Sequence, residues 1–182
     1  VVVGGGMMED SLADAADGLF GGSTPERRLE ILKDSRHGTY GVAALCLFLV
    51  LRVTAIGSVA TINPLAAAAL WLAANIAGRS GALWVAVALP PARADGAAVA
   101  AGKLPASRFW IGAALALLLL FVIGAPASSL VGVAFAALAV ALFVLGWTML
   151  CKRLVGGQTG DLIGAAAGLG EIAALTVLLI FA

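Results

Sequence analysis

Three aspartates near the start of the chain have the type and spacing of residues that bind a metal ion. Asp10, Asp14 and Asp17 occupy positions i, i+4 and i+7 of a segment rich in Ala and Leu, so a helix places them on one face. No basic residue at helical spacing offsets their charge. Carboxylate oxygens are the ligands that Mg²⁺ and Mn²⁺ prefer. The spacing therefore predicts a divalent-cation site, and the alternative is a solvated acidic helix end.

A second charged segment follows and interleaves acids with bases. Glu30 and Asp34 form another i, i+4 acidic pair that could meet the first cluster through metal. Arginines beside them, such as Arg28 and Arg36, suit bidentate contacts to phosphate oxygens. An ordinary salt-bridged loop is the alternative. His37 is the only histidine, and a lone loop histidine is more often incidental than catalytic.

Polar residues inside apolar stretches are further candidates, because burying them in a membrane is costly. Asn75 and Arg79 share one helical face at i, i+4. Arg52 also lies in an apolar run, where snorkelling is the alternative explanation. Arg93 and Asp95 form a charged pair just after the second apolar stretch.

The last apolar stretch begins at a glycine-rich turn, residues 156–161. Such a turn before a helix can present backbone N–H groups to phosphate. Gly160, Gly164 and Gly168 then recur every four residues, a pattern that lets another helix approach closely. Glu171 lies within about 20° of that stripe, so we expect it to face the bundle interior. A buried, protonated glutamate and a functional one are both compatible with this position.

Composition decides which kind of molecule holds these residues. Of the 182 residues, 62% are hydrophobic and 12% are charged, whereas soluble domains carry about 25% charged residues. The mean hydropathy is +1.08. A disordered chain, a basic nucleic-acid binder and almost any soluble fold are therefore excluded. The two cysteines form no metal or disulfide motif. We predict an all-α, polytopic membrane helical bundle.

Five apolar stretches set the predicted organisation. We expect one integral membrane domain over residues 1–182, with an acidic helix and loop in 1–40 and a five-span bundle in 41–182. Val1–Met8 is expected to be the tail of a further, truncated apolar helix. The third stretch is short for a span unless its flanks join it. The predicted spans are Gly41–Ile62, Leu65–Leu89, Phe109–Ile123, Ser129–Leu150 and Leu162–Ala182.

The basic residues orient these spans. Nine of the 11 Lys and Arg residues lie on alternate loops and therefore on one side of the membrane. By the positive-inside rule that side is cytoplasmic, and most of the acidic residues lie on the same side. The polar chemistry is thus predicted at the cytoplasmic face.

Several ordered strings resemble the cobalamin synthase, or adenosylcobinamide-GDP ribazoletransferase, family. They span most of the chain, and the strings at 34–41 and 157–161 are the most specific. Ser11 stands where the family usually has Gly, a change that bears on how closely substrate approaches that helix. The strings are Glu9-Asp10, Asp14-Ala15-Ala16-Asp17-Gly18, Arg28-Leu29-Glu30-Ile31, Asp34-Ser35-Arg36, Gly38-Thr39-Tyr40-Gly41, Gly78-Arg79, Ala92-Arg93 with Asp95-Gly96, Gly157-Gln158-Thr159-Gly160-Asp161, Gly164-Ala165 and Glu171.

The resemblance implies a Mg²⁺-dependent phosphotransferase, with Mn²⁺ as the alternative ion. It joins adenosylcobinamide-GDP to α-ribazole or its 5′-phosphate and releases GMP, in a bacterial inner membrane. Other enzymes of the corrinoid pathway are conceivable partners, and no nucleic acid is expected. Under this resemblance Asp14, Asp17 and Asp34 are catalytic. The metal ligands are Asp10, Asp14, Asp17 and Asp34. The substrate-binding residues are then Glu9, Arg36, Arg79, Arg93, Gln158, Asp161 and Glu171.

Two other functions fit part of the pattern. A CDP-alcohol phosphotransferase of phospholipid synthesis shares the Asp14-x-x-Asp17-Gly18 element, but its usual Ala-Arg and later Asp-x-x-x-Asp are absent. A small-solute transporter would use Arg79 and Glu171 as an intramembrane pair. Such a transporter does not need an acidic ladder, and no internal repeat is evident.

Overall fold

The computed structural model describes residues 5–34, 36–95 and 97–182. Helices account for the regular structure of these residues, and the one β contact among them is an isolated bridge between Pro91 and Gln158. The all-α prediction is therefore confirmed. The helices are α1 (Met7–Gly21), α2 (Pro25–Ile31), α3 (Thr39–Ala60), α4 (Pro64–Ala88), α5 (Ala97–Ala101), α6 (Ala106–Gly124), α7 (Leu130–Val155) and α8 (Gly160–Ile180).

Five of the helices, α3, α4, α6, α7 and α8, are long and apolar enough to cross a membrane. This confirms the five-span count and makes the chain a multi-pass membrane protein. The short third stretch becomes a span of 19 residues because α6 begins at Ala106 and includes Arg108. Similarly, α7 continues through Lys152 and Arg153 in its last turn, where cations interact favourably with the helix dipole.

Side chains that precede the helices define where several of them begin. Thr24, Asn63, Ser129 and Thr159 each accept a hydrogen bond from a backbone N–H three residues on, which satisfies an otherwise unpaired donor. Proline occupies the first turn of α2 and α4, as its fixed φ favours. The helix α3 is not capped by a side chain of its own first residues. Its cap comes from α1, as described below.

The core of the bundle is built around α8. One face of α8 packs against α1, where Gly164 lies over Ser11 and Gly168 over Met8. The other face packs against α4. There a Cβ on Gly78 would lie 2.6 Å from the Ala167 carbonyl oxygen, so the two backbones are in contact. The predicted glycine stripe is thus the face of α8 against which α1 packs.

The N-terminal helix differs from the expected tail of an apolar helix. Val1–Gly4 lie outside the described residues, and Gly5 and Gly6 both have positive φ, a conformation that suits glycine. Met7 and Met8 belong to α1 itself. The acidic helix therefore begins at Met7 and packs against α2, α3 and α8.

Three loops meet at one end of the bundle, which we call the basic end (residues 22–38, 89–105 and 156–159). Lys33 Nζ lies 2.8 Å from Asp95 Oδ2 and joins the first loop to the second. Gln158 and the Pro90–Ala92 segment exchange two backbone hydrogen bonds of 2.9 Å. The bonds join the second loop to the third, so residues far apart in sequence form one surface.

Candidate active site

The acidic helix α1 does not present its three aspartates alike. Asp10 is exposed, Asp14 is half-buried and Asp17 is buried. Asp17 accepts hydrogen bonds from the backbone N–H groups of Gly38 (2.6 Å) and Gly41 (2.9 Å). Asp17 therefore caps α3 from another helix. Within the described ranges, the carboxylates of Asp10 and Asp14 accept no hydrogen bond from a backbone N–H.

Two glycines make this cap possible. A Cβ on Gly38 would lie 2.6 Å from Asp17 Oδ1, and a Cβ on Gly41 would lie 2.8 Å from the Ala13 carbonyl oxygen. Side chains at these positions would push α3 away from α1. The Gly38-x-x-Gly41 spacing therefore serves the docking of two helices. In the sequence these two glycines were recognised only as part of a string shared with the family.

Asp14 is the carboxylate with the most perturbed environment outside the membrane spans. Its pKa is raised from 3.8 to about 6, mainly by burial and then by the charges of Asp10 and Asp161, while His37 lowers it. His37 Nδ1 lies 3.8 Å from Asp14 Oδ1. Like charges that raise a pKa in this way mark a group that a cation would stabilise. No pattern in the sequence connects His37 with Asp14.

Asp161, at the start of α8, is therefore a neighbour of the α1 carboxylates. Its Oδ2 atom lies 3.5 Å from Arg93 Nη2, on the loop that follows α4. The pairing of Gln158 with the Pro90–Ala92 segment brings the two loops together, and Gly157 permits it because a Cβ there would lie 2.6 Å from the Pro90 carbonyl oxygen. The Gln158 N–H is engaged by Pro90, so this donor of the glycine-rich turn already has a partner.

Asp34 and Arg36 pair with each other on the surface. Asp34 accepts from Arg36 at 2.6 Å and 3.0 Å, and these bonds lower the pKa of Asp34 to about 2. Asp34 is not among the main causes of the raised Asp14 pKa. The described residues contain no group of three or more His, Cys, Asp or Glu side chains arranged to hold a metal ion. The four predicted ligands, Asp10, Asp14, Asp17 and Asp34, are thus not assembled in this structure.

A charged network inside the bundle connects α1, α3 and α8. Arg52 Nε lies 2.8 Å from Glu171 Oε1, and Arg52 Nη1 lies 3.1 Å from Glu9 Oε1. The guanidinium also lies over the rings of Phe48 and Trp71, 5.4 and 5.8 Å from their centroids. Arg52 follows the first residue of α3 by 13 positions, about 20 Å along the helix. Its side chain is paired within the bundle, and the snorkelling alternative does not apply.

Glu171 faces the interior as predicted and is 1% exposed. Its ion-pair partner is Arg52, while Arg79 donates to Asn75 Oδ1 at 2.9 Å on its own helix. The Arg79–Glu171 pair that a transporter would use is therefore not formed. Ser11 also has a different neighbour from the expected one, since it packs on Gly164 and is buried.

Arg28, another arginine of the sequence motifs, has hydrogen-bond partners that the sequence did not predict. Arg28 Nε donates to the Leu19 carbonyl at 3.0 Å, and Arg28 Nη1 donates to the Leu154 carbonyl at 3.2 Å. These carbonyls lie in the last turns of α1 and α7, which are favourable places for a cation. Arg28 therefore ties α1, α2 and α7 together at the basic end.

A polar cavity adjoins the free carboxylates. It lies between α1 and the start of α3 and has a volume of about 550 Å³. Glu9, Asp10 and His37 are among its lining residues, with Leu45 on the α3 side. The cavity therefore has two carboxylates and a histidine at its edge, a set suited to a cation.

Comparison with known proteins matches the chain to one family and to relatives with a single shared name. The chain matches the cobalamin-5-phosphate synthase family over residues 1–179. It is 42% identical to the adenosylcobinamide-GDP ribazoletransferase of Azorhizobium caulinodans, covering 100% of the chain and 69% of that relative. The Bradyrhizobium diazoefficiens protein of that name is also 42% identical, over 97% of the chain and 65% of its own length. The chain thus spans about two thirds of these relatives, and no solved structure matches it.

Proposed function

The chain belongs to the cobalamin-5-phosphate synthase family, and from this membership we propose the reaction of the full-length protein that contains it. The protein is a transferase of cobalamin synthesis that joins adenosylcobinamide-GDP to α-ribazole or α-ribazole 5′-phosphate. A ribose hydroxyl forms a bond to the phosphorus attached to cobinamide, and the P–O bond of the diphosphate breaks. The products are GMP and adenosylcobalamin or its phosphate. The match over residues 1–179 carries this proposal because it includes every candidate site residue.

A hard divalent cation is the second part of the proposal. Asp10 and Asp14 would contribute to holding Mg²⁺, or alternatively Mn²⁺, because carboxylate oxygens are the donors that such ions prefer. The support is electrostatic, since Asp10 and Asp161 both raise the pKa of Asp14. When bound, the ion supplies neutralisation of the diphosphate charge. Asp161 keeps the substrate-binding role that the resemblance implies.

The chain's own residues divide the remaining work. Arg93, whose Nη2 atom lies 3.5 Å from Asp161 Oδ2, contacts a phosphate of the nucleotide substrate. Asp14, with His37 3.8 Å away, accepts the proton of the attacking hydroxyl. Arg36 and Arg79 are exposed and offset further phosphate charge, while Asp34 orients Arg36.

Other predicted site residues act through the helices they hold. Asp17 positions the start of α3 by accepting hydrogen bonds from the N–H groups of Gly38 and Gly41. The position of His37, which directly precedes Gly38, depends on these bonds. Glu9 and Glu171 are positioning residues because Arg52 engages both.

We place the protein in a bacterial inner membrane with the basic end in the cytoplasm, where nucleotide substrates are present.

A turnover assay tests the proposal. Full-length protein in proteoliposomes would receive adenosylcobinamide-GDP, α-ribazole and Mg²⁺, and GMP and adenosylcobalamin would be quantified. We expect turnover that stops when EDTA removes the divalent ion. Asp14→Asn should lower kcat at least about 100-fold, the usual scale for losing an acid–base group. Glu26→Gln changes an exposed carboxylate of α2 and should retain activity.

Other outcomes would reject specific parts of the proposal. Absence of both products from folded wild-type protein would reject the reaction. Release of CMP from a CDP-alcohol would favour the phospholipid enzyme instead. Full activity in EDTA would reject the cation, and near-normal turnover of Asp14→Asn would remove Asp14 from the site.

A further inference from the structure

A second cavity lies behind the glycine-rich turn at the basic end. The end of α4, the helix α5 and Gln158 enclose a volume of about 390 Å³. Most of the lining is apolar and includes Leu89, Pro90 and Val99, while Lys103 supplies a positive charge. Small-molecule sites typically have volumes of about 300–1,000 Å³ and apolar walls with a few polar groups. The cavity has the size and lining of such a site.

Gln158 is the polar residue on this wall whose hydrogen bonding is incomplete. The residue is only 4% exposed, and its side-chain Oε1 atom has no hydrogen-bond partner among the residues that the structure describes. Its backbone cannot readily move, because both its N–H and its carbonyl are bonded to the Pro90–Ala92 segment at 2.9 Å. Buried polar atoms without partners are rare and require an explanation. A ligand that donates a hydrogen bond would supply the missing partner.

We propose that this cavity is the subsite for the guanine base of the nucleotide substrate, and that the Gln158 carboxamide pairs with the N1–H and O6 edge of the base. The proposal rests on the function proposed above. A carboxamide offers one acceptor and two donors side by side, which match guanine N1–H and O6. The apolar walls cover the faces of the ring.

The chemistry of the two substrates decides between them. The dimethylbenzimidazole base of α-ribazole has no N–H group, so it cannot donate to Gln158 Oε1. Guanine can. Leaving a buried polar group unpaired is the main way that a site rejects an analogue lacking its partner. The cavity therefore selects the leaving nucleotide, and α-ribazole binds elsewhere.

The position of the cavity also fits a nucleotide whose phosphates reach the carboxylates of Asp161 and Asp14. Gln158 lines a neighbouring small cleft together with Arg93, Thr159 and Gly160. Arg93 is the residue that pairs with Asp161 at 3.5 Å. A base held at Gln158 would thus direct its phosphates past Arg93 toward Asp161 and Asp14. Lys103, on the other side, adds charge that favours an anionic ligand.

Direct nucleotide binding tests the subsite without turnover. Full-length protein in nanodiscs would be titrated with GMP by calorimetry, and then with 1-methyl-GMP, which lacks the N1–H donor. We expect at least tenfold weaker binding of the methylated nucleotide to wild-type protein. Gln158→Leu should weaken GMP binding at least tenfold and remove the discrimination between the two nucleotides. α-Ribazole should not compete with GMP.

Two further variants separate a lost contact from a misfolded protein. Val99→Trp fills the cavity and should weaken GMP binding, whereas Val122→Trp, at an exposed position of α6, should leave it unchanged. In the turnover assay, Gln158→Leu should raise KM for adenosylcobinamide-GDP at least tenfold and change KM for α-ribazole less than twofold.

The subsite and the proposed reaction can fail separately. Equal binding of GMP and 1-methyl-GMP to the wild type, no GMP binding, or competition by α-ribazole would each overturn the subsite. Discriminating GMP binding that depends on Gln158 would support the subsite even if no cobalamin formed. That combination would reject the reaction alone.

Discussion

Asp14 and Asp17 lie one turn apart on α1 and yet have different chemical environments. Asp17 accepts hydrogen bonds from two backbone N–H groups. Asp14 has burial and negative neighbours instead, with His37 as the nearest cation-forming group. One residue therefore positions a helix, while the other holds a charge that needs an external partner.

The raised pKa of Asp14 predicts a specific pH dependence of stability. Because its folded-state pKa of about 6 exceeds the ordinary 3.8, the folded protein binds this proton more tightly than the unfolded chain. The stability contributed by protonated Asp14 is therefore present below about pH 4 and lost as the pH rises through about 6. Thermal unfolding in EDTA between pH 4 and 8 should show this fall in wild type and a smaller fall in Asp14→Asn.

Glu26→Gln provides the comparison, because it removes a carboxylate from an exposed position and should leave the wild-type slope intact. Adding Mg²⁺ should raise the unfolding temperature more at pH 7 than at pH 5, since protons compete with the cation for Asp14. Identical slopes for wild type and Asp14→Asn would contradict the assigned environment of Asp14.

The intramembrane network predicts an asymmetric mutational effect. Arg52→Met removes the partner of Glu171, which is 1% exposed, and leaves a buried carboxylate unpaired. Breaking a buried pair in this way costs about 3–5 kcal/mol. The double variant Arg52→Met, Glu171→Gln should recover part of this loss. Denaturant unfolding in detergent micelles would measure both free energies.

Arg27→Met is the control for this pair of variants. Its ion pair with Glu30 is exposed, with 63% and 64% of the two side chains accessible, and such pairs contribute about 0–1 kcal/mol. If Arg52→Met were no more harmful than Arg27→Met, or if the double variant were less stable than the single one, the network would not be a stabilising unit.

Sequence reasoning identified part of this site and missed the rest for a physical reason. Helical periodicity correctly turned Glu171 inward, because that inference needs only its own helix. Periodicity could not identify its partner, since Arg52 lies 119 residues away in sequence. The same limit applies to Asp17. Its spacing groups it with Asp10 and Asp14, but its hydrogen bonds are with the backbone at the start of another helix. Partners across helices depend on packing, which one sequence does not reveal.

At the scale of the helices, hydropathy predicted which segments span but not where they begin and end. The predicted fourth span ended at Leu150, whereas α7 ends at Val155. Hydropathy falls at Lys152 and Arg153, but the backbone remains helical until Gly156, whose φ of 76° ends it. Charged residues in the last turn thus extend a helix beyond its apolar part.

The contact between α4 and α8 predicts a strong positional effect of one methyl group. A Cβ on Gly78 would lie 2.6 Å from the Ala167 carbonyl oxygen and 3.0 Å from Glu171 Cα. Both are backbone atoms, so Gly78→Ala must separate the helices. Overpacking of this kind costs about 1–3 kcal/mol, and it also displaces Glu171. We expect a lower unfolding temperature in detergent.

Gly57→Ala is the matched substitution, because a Cβ on Gly57 has no atom within 4 Å in the described structure. It should be neutral or slightly stabilising, since alanine favours a helix over glycine by about 0.5–1 kcal/mol. Equal effects of the two substitutions would show that helix propensity, not the close approach of α4 and α8, determines the result.

For the whole molecule, the arrangement of charge predicts its orientation in the membrane. Nine of the 11 Lys and Arg residues lie in the basic end or in the helix turns next to it, and this asymmetry favours a cytoplasmic location. The protein must then place the turn at Ile62 on the opposite side. Five spans also separate Glu26 from Ala182, so those two residues must lie on opposite sides.

Cysteine labelling measures this orientation directly. Cys46→Ala and Cys151→Ala remove both native thiols, and Glu26→Cys, Ile62→Cys or Ala182→Cys then adds one at an exposed position. In intact cells a membrane-impermeant maleimide should label Ile62→Cys and Ala182→Cys but not Glu26→Cys, which becomes reactive only after permeabilisation. The reverse pattern would invert the orientation and separate the candidate active site from cytoplasmic nucleotides. Labelling of Glu26→Cys and Ala182→Cys from the same side would instead contradict the odd number of spans, because only an odd number carries the chain from one side to the other.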